Sequence, residues 1–228
     1  MIKNPQLDKN RNSQAAVTLP QTLAVSAYLV IWFLFGVIPV LQKNTIWLSL
    51  AFAVLLIVII VGFLHTHQWN FKELFNISWV QVAKALATGL ALVAIEVGVL
   101  VCLQVISHHT TTSANTALIL KTIEKQPLFV GYTVLVAPAL EEFIFRKCLN
   151  NCAMSIFSRM KLSNTAQLFW SWLLTSYVFA SLHGDKSILF YLIFGFVLQF
   201  LYYRSENLRF TMIVHAVFNT ASLMIMFV

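Results

Sequence analysis

In a chain of 228 residues, 59% are hydrophobic and only 10% are charged, and the mean hydropathy is +0.80. Soluble domains carry about 25% charged residues, so this composition excludes a soluble enzyme and indicates one all-α, polytopic membrane protein. The net charge of +7 is not gathered in one basic patch, which argues against a nucleic-acid partner.

The apolar runs predict a transmembrane helical bundle of about seven spans, because each run is long enough to cross the hydrocarbon core of a bilayer. Residues 1–20 are polar and predict a cytoplasmic tail, and residues 107–126 predict a surface helix or a lid. The predicted spans are 22–41, 46–64, 80–106, 127–152, 166–183, 188–203 and 210–228.

The distribution of basic residues predicts the orientation of the bundle. If the N-terminus is cytoplasmic, eleven of the 15 lysines and arginines fall on the cytoplasmic side and four fall outside. The positive-inside rule therefore predicts a cytoplasmic N-terminus and an outer C-terminus. We divide the chain into the tail 1–20, N-terminal transmembrane helices with a connecting loop at 21–126, and a transmembrane core at 127–228.

The costliest feature in this core is the stretch P-A-L-E-E-F-I-F-R at residues 138–146, because ionised side chains at membrane depth are strongly disfavoured. Glu142 and Arg146 are four residues apart, so they share a helix face and are predicted to pair. Glu141 is rotated about 100° away and stays the lone carboxylate. Burial disfavours its charged form, which prepares a general base for work near neutral pH. The alternative is a purely structural ion pair that locks two helices.

Other polar residues lie at membrane depth on separate helices. Glu96 is either part of a site or a protonated side chain that hydrogen-bonds to another helix. His183 ends the fifth span, where a histidine alone is usually interfacial. His215 and Asn219 share one face of the last span, which must point into the bundle or a wet cavity. Together these helices offer a base, a histidine and hydrogen-bond donors, the groups that activate water against an amide and stabilise the resulting oxyanion.

Three motifs in order resemble the CAAX protease and bacteriocin-processing family, also called Abi-domain proteins, which is related to the Ras-converting prenyl-protein endopeptidases. The resemblance covers about residues 125–226. The motifs are E-E-x-x-x-R (Glu141, Glu142, Arg146), F-x-x-x-H (Phe179, His183) and H-x-x-x-N (His215, Asn219).

The resemblance implies an intramembrane glutamate-type endopeptidase whose catalytic core is residues 127–228. Glu141 would activate the hydrolytic water with the assistance of His183. His215 and Asn219 would form the oxyanion hole. No cofactor is implied; the minority alternative is a zinc ion held by Glu141, His183 and His215, because the family was once described as metalloproteases.

The remaining implied site residues, Glu142 and Arg146, would hold the shape of the site. One geometrical condition follows from the sequence itself. Counting residues along the spans places His183 nearer the outer face than Glu141, so the helices must tilt, shift or break for the two to meet.

The sequence therefore predicts a multi-pass protease of a bacterial plasma membrane that acts on a peptide or a membrane-anchored protein. The resemblance implies a role in bacteriocin or peptide-pheromone maturation, or in self-immunity, with a prenylated protein as the less favoured substrate. One rival is a non-proteolytic immunity or regulatory protein that acts by binding. Another is a proton-coupled carrier that uses Glu96, Glu141 and His183 as a relay.

Overall fold

The computed structural model describes residues 19–37, 45–65, 77–107, 114–183 and 188–226, and all regular elements in these ranges are helices. The predicted all-α class is confirmed. The predicted tail lies outside the described residues, except for Leu19 and Pro20 at the start of the first helix. The helices are α1 (Leu19–Val37), α2 (Thr45–His65), α3 (Trp79–Ser107), α4 (Ala114–Lys125), α5 (129–159), α6 (Asn164–Leu182), α7 (Ile188–Ser205) and α8 (Leu208–Met226).

Seven of these helices coincide with the predicted spans, and α4 coincides with the predicted surface segment. Three helical stretches in the described ranges are long and apolar enough to cross a membrane, namely Trp79–Cys102, Ile188–Ser205 and Leu208–Met226. The chain is therefore a multi-pass helical membrane protein. The total of about seven spans and the cytoplasmic N-terminus stay predictions.

Helix α5 is interrupted twice by π-helical stretches, Tyr132–Val136 and Phe143–Leu149, which we call the first and second wide turns. Both wide turns flank a short α-helical stretch, Ala137–Glu142, that carries the two adjacent carboxylates. Such interruptions are frequent at functional sites, because they change the direction in which the following side chains point. The second wide turn contains Arg146.

The N-terminal helices pack against α5 through aromatic rings. Tyr28 of α1 lies 5.2 Å from Phe52 of α2 and 5.7 Å from Phe145 of α5, measured between ring centroids. All three residues are almost fully buried. Phe52 also stacks on Tyr132 at 6.2 Å, so α1 covers the second wide turn of α5 and α2 covers the first.

Helices α3 and α8 approach each other closely at Gly89. A Cβ atom at this position would lie 2.8 Å from the Val217 side chain and 2.9 Å from the Val214 carbonyl oxygen. Both valines flank His215 in the sequence of α8. Only glycine permits this approach without a shift of backbone, so α3 sets the position of α8.

Gly89→Ala is expected to lower the midpoint of thermal unfolding, because overpacking of a close contact costs about 1–3 kcal/mol. Gly98→Ala is the matched control, since it lies on the same helix and a Cβ there meets nothing within 4 Å. Both substitutions improve helix propensity equally, so their difference isolates the steric effect. Equal midpoints for the two variants in the same detergent would contradict the close approach.

Candidate active site

The predicted ion pair on α5 is confirmed, and it is completely buried. The Nε and Nη2 atoms of Arg146 donate to the two carboxylate oxygens of Glu142 at 3.1 and 3.3 Å. Both side chains have 0% exposure. The guanidinium also lies 5.2 Å from the centre of the Phe179 ring. Glu142 is thus an ionised carboxylate that accepts two charge-assisted hydrogen bonds from Arg146.

His215 of α8 reaches across the bundle to this pair. Its Nδ1 atom lies 3.0 Å from Oε1 of Glu142, the oxygen that also accepts a hydrogen bond from Nη2 of Arg146. Because an ionised carboxylate has no proton to donate, the hydrogen of this bond must be carried by Nδ1. The contact therefore fixes the orientation of the imidazole and leaves Nε2 as the nitrogen that can gain or lose a proton.

The Nε2 atom of His215 faces Glu141, the neighbour of Glu142 in the sequence. It lies 3.9 Å from Oε2 of Glu141, which is too long for a direct hydrogen bond but can be spanned by one water molecule. The Glu141 side chain is 17% exposed, whereas that of Glu142 is 0% exposed. Glu141 is thus the more accessible carboxylate and, as the sequence predicted, it is not the one that pairs with Arg146.

Aromatic rings enclose the imidazole of His215. Phe194 of α7 meets it edge-on at 5.2 Å, Phe179 of α6 lies at 6.2 Å, and Phe218 packs on Phe194 at 4.4 Å. These rings displace water from one side of the cluster and so strengthen its electrostatic contacts. The rings also restrict the imidazole to one plane.

His183 lies at the C-terminal end of α6, one helical turn beyond Phe179. Its Nδ1 atom is 2.8 Å from the Phe179 carbonyl oxygen, so the neutral ring carries its proton on Nδ1 and Nε2 is the basic nitrogen. The Phe179 ring contacts both His183, at 4.5 Å, and His215. His183 is therefore linked to the cluster through this ring. Helix α5 contains the two wide turns, but the meeting of His183 with Glu141 stays a prediction.

Asn219 lies one turn beyond His215 on α8, and its position has a local cause in α5. The amide of Ala137 donates to the carbonyl of Tyr132, and Pro138 has no amide hydrogen. The Thr133 carbonyl thus loses the donors of both an α-helical and a π-helical bond. Nδ2 of Asn219 replaces them, at 3.0 Å from the Thr133 oxygen. This contact binds α8 to the first wide turn, a role that the sequence analysis missed.

Glu96 is placed outside the cluster, at the contact between α3 and α8. Its Oε2 atom accepts a hydrogen bond of 2.8 Å from the Ser222 hydroxyl. The predicted hydrogen bond between helices is thus confirmed. It fixes α3 to α8 two turns beyond His215.

Glu96→Gln is expected to leave the unfolding midpoint nearly unchanged, because glutamine keeps an acceptor for Ser222. Glu96→Leu should destabilise the protein by about 0.6 kcal/mol, the average for measured hydrogen bonds between membrane helices, and by at most about 1.7 kcal/mol. Unfolding in mixed micelles measures both variants. If Glu96→Gln abolished activity while its stability stayed normal, Glu96 would belong to the reaction rather than to the helix contact.

The described residues do not form a metal-binding group. Among them, no three or more His, Cys, Asp or Glu side chains come together in an arrangement that could hold a metal ion. The minority alternative, a zinc ion held by Glu141, His183 and His215, stays a hypothesis.

Two tyrosines lie beside the site-bearing helix α5 without any predicted role. Tyr28 of α1 is buried, Tyr132 of the first wide turn is half-buried, and the Phe52 ring of α2 packs against both. In apolar runs these residues are indistinguishable by pattern from packing aromatics. The available signal was the hydroxyl group itself, since a buried tyrosine usually needs a polar partner.

The fold and this cluster define a multi-pass helical membrane protein with a buried carboxylate–histidine site. Residues 123–221 match the family described as type II CAAX prenyl endopeptidase Rce1-like. The matched segment includes every residue of the three motifs, so the resemblance to the CAAX protease family is confirmed over this segment.

Bacterial membrane proteins are among the curated relatives. A protein of Bacillus subtilis (strain 168), YdiL, provisionally named a membrane peptidase, is 33% identical over 109 residues, which are 47% of this chain and 41% of YdiL. The membrane-embedded CAAX protease MroQ of Staphylococcus aureus (strain USA300) is 28% identical over 133 residues, 58% of this chain and 53% of MroQ. The UPF0177 protein YaiF of Lactococcus lactis is 30% identical over 117 residues, 50% of this chain and 48% of YaiF.

The chain thus spans about half the length of the curated relatives it matches. No solved structure matches it significantly. With the apolar helices, these relatives identify a multi-pass membrane protein of a bacterial kind.

Proposed function

We propose that this protein is a membrane-embedded endopeptidase in which Glu141 activates the hydrolytic water. The observation that supports this proposal is the position of His215 between two adjacent carboxylates of different character. Glu142 is locked by Arg146 and bound to Nδ1, whereas Glu141 is accessible and faces Nε2 at 3.9 Å. A purely structural ion pair needs neither the second carboxylate nor the histidine.

The charges along this cluster alternate when His215 carries its second proton. The order is then positive at Arg146, negative at Glu142, positive at His215 and negative at Glu141. In this state Glu141 is the base that takes a proton from water, and Nε2–H of His215 is the donor for the oxyanion. Glu142 supports both roles, because its negative charge stabilises the imidazolium through Nδ1.

Hydrolysis then proceeds in two balanced stages. Glu141 removes a proton from water as the oxygen attacks the amide carbon, and the carbonyl oxygen becomes an oxyanion. The protonated Glu141 passes this proton to the departing amide nitrogen, the C–N bond breaks, and the carbonyl re-forms. His183 assists the proton transfers. Nδ2 of Asn219 donates one hydrogen to the Thr133 oxygen. Its other hydrogen supplements Nε2–H of His215 as a donor to the oxyanion.

We propose a peptide or a membrane-anchored protein segment as the substrate. The CAAX protease name of the Staphylococcus aureus relative supports hydrolysis at the membrane. From the resemblance of the three motifs we further propose a role in maturation of a bacteriocin or another peptide, or in self-immunity. A prenylated protein is the less favoured substrate. No cofactor is needed for the steps above.

Cleavage of a quenched peptide and of a membrane-tethered reporter by the purified protein in lipid nanodiscs tests the proposal. Wild-type protein should cut a probe, a chelator should spare this activity, and His215→Ala should abolish it. Inhibition by the chelator that added zinc reverses would instead favour the metal hypothesis. The binding alternative would gain if no probe were cut while Glu141→Gln still supported the cellular phenotype.

A further inference from the structure

The imidazole of His183 is held between two aromatic rings. Tyr191 of α7 stacks on it with a centroid distance of 4.1 Å and an interplanar angle of 23°. Phe179, on the same helix as His183, contacts it at 4.5 Å with a tilt of 50°. Stacking from α7 restricts rotation of the imidazole about its last side-chain torsion, which is otherwise broad.

This restriction decides which nitrogen of His183 faces which neighbour. Nδ1 lies 2.8 Å from the Phe179 carbonyl oxygen, and a half-turn of the ring would replace it with a carbon atom. The hydrogen bond would then be lost, and the basic nitrogen Nε2 would point in another direction. The Tyr191 ring therefore keeps the imidazole in the plane in which Nδ1 can reach the Phe179 carbonyl oxygen, and that contact then selects one orientation and one tautomer of His183.

Tyr191 is itself held by a helix that begins before the matched segment. Nδ2 of Asn115 in α4 lies 3.3 Å from the Tyr191 hydroxyl oxygen. At the other end of α4, Ile123 is buried against Phe129 of α5 and Leu223 of α8. Helix α4 is thus fixed at one end to the site-bearing helices and at the other end to Tyr191.

We propose that Tyr191 is a positioning residue for His183, and that α4 sets this position through Asn115. The proposal rests on the role of His183 in the proposed hydrolysis. The proposal gives α4 a function beyond packing. Movement of Asn115 breaks its hydrogen bond to the Tyr191 hydroxyl and thereby loosens the ring that orients His183.

The first test is spectroscopic and does not depend on activity. Nitrogen–proton correlations of the histidine rings in micelles report the tautomer of His183, which His183→Gln assigns by loss of its signals. Tyr191→Leu should reduce the Nδ1–H tautomer of His183 and leave the His215 signals unchanged. Tyr177→Leu is the control, because this tyrosine lies on α6 but is 56% exposed. An unchanged His183 tautomer in Tyr191→Leu would overturn the proposal.

The second test separates the ring from its hydroxyl by kinetics. Tyr191→Leu should lower kcat about tenfold or more with little change in KM, because misplaced catalytic groups lose much of their contribution. Tyr191→Phe and Asn115→Ala both remove this hydrogen bond, so each should have a smaller effect on kcat than Tyr191→Leu. The double variant should be no worse than either single variant. Additive effects would show that Asn115 does not act through Tyr191.

The two tests also distinguish this proposal from the proposed function. If the wild-type protein cleaves no probe, hydrolysis is contradicted, but the His183 tautomer still tests the contact with Tyr191. If the wild-type protein cleaves and Tyr191→Leu retains full kcat, positioning by Tyr191 is contradicted while the endopeptidase proposal stands.

Discussion

Glu141→Gln is expected to reduce kcat for peptide cleavage by about 10³-fold, because general-base catalysis contributes roughly 10²–10⁴-fold. Glutamine has the size of glutamate, but its uncharged amide cannot take a proton from water. The folded cluster of Glu142, Arg146 and His215 does not depend on the charge of Glu141. The unfolding midpoint should therefore stay within a few degrees of that of the wild type.

The matched control is Glu124→Gln, which removes a carboxylate that is exposed on α4. It should leave both kcat and stability unchanged. Initial rates with a quenched peptide in nanodiscs, together with a thermal scan of each variant, provide the comparison. A Glu141→Gln protein that cleaves at the wild-type rate would remove Glu141 from the reaction and favour the non-proteolytic alternative.

The parts of the site that could be predicted from the sequence are those formed within one helix. Glu142 and Arg146 are four residues apart, and this spacing survives the second wide turn well enough to give two hydrogen bonds. The long apolar runs likewise indicated their own helices, because the hydrocarbon core permits few other structures.

The parts that could not be predicted depend on pairs of residues far apart in the chain. The contact of His215 with Glu142 joins residues 73 positions apart, and that of Asn115 with Tyr191 joins residues 76 positions apart. Single-sequence periodicity carries no information about such distances. The first wide turn had one local signal, Pro138, but its consequence depends on Asn219 from another helix.

These long-range contacts explain why the three motifs lie on separate helices. The carboxylates on α5 require hydrogen-bond donors; Arg146 is the donor that α5 itself supplies to Glu142, and a further donor comes from another element. His215 faces both glutamates, through Nδ1 to Glu142 and through Nε2 to Glu141. Asn219 donates the hydrogen bond that the backbone of α5 lacks at its first wide turn. When α8 packs against α5, the site forms and the Thr133 carbonyl gains its hydrogen bond in the same step.

Arg146→Met is expected to destabilise the protein by about 3–5 kcal/mol, because it leaves the charge of Glu142 buried without its partner. Its matched control is Arg159→Met, since Arg159 is exposed at the end of α5. Unfolding in mixed micelles should show a large loss of stability for the first variant and almost none for the second. Equal stabilities would contradict a net role of the pair in folding.

The double variant Glu142→Gln/Arg146→Met separates stability from catalysis. It removes both buried charges, and glutamine keeps an oxygen that can accept the hydrogen bond from Nδ1 of His215. Much of the stability lost in Arg146→Met should return, because neutral replacements of a buried pair are often tolerated. Activity should stay low, since an uncharged residue 142 no longer stabilises the imidazolium that faces Glu141. Recovery of cleavage together with stability would show that Glu142 and Arg146 serve the fold alone.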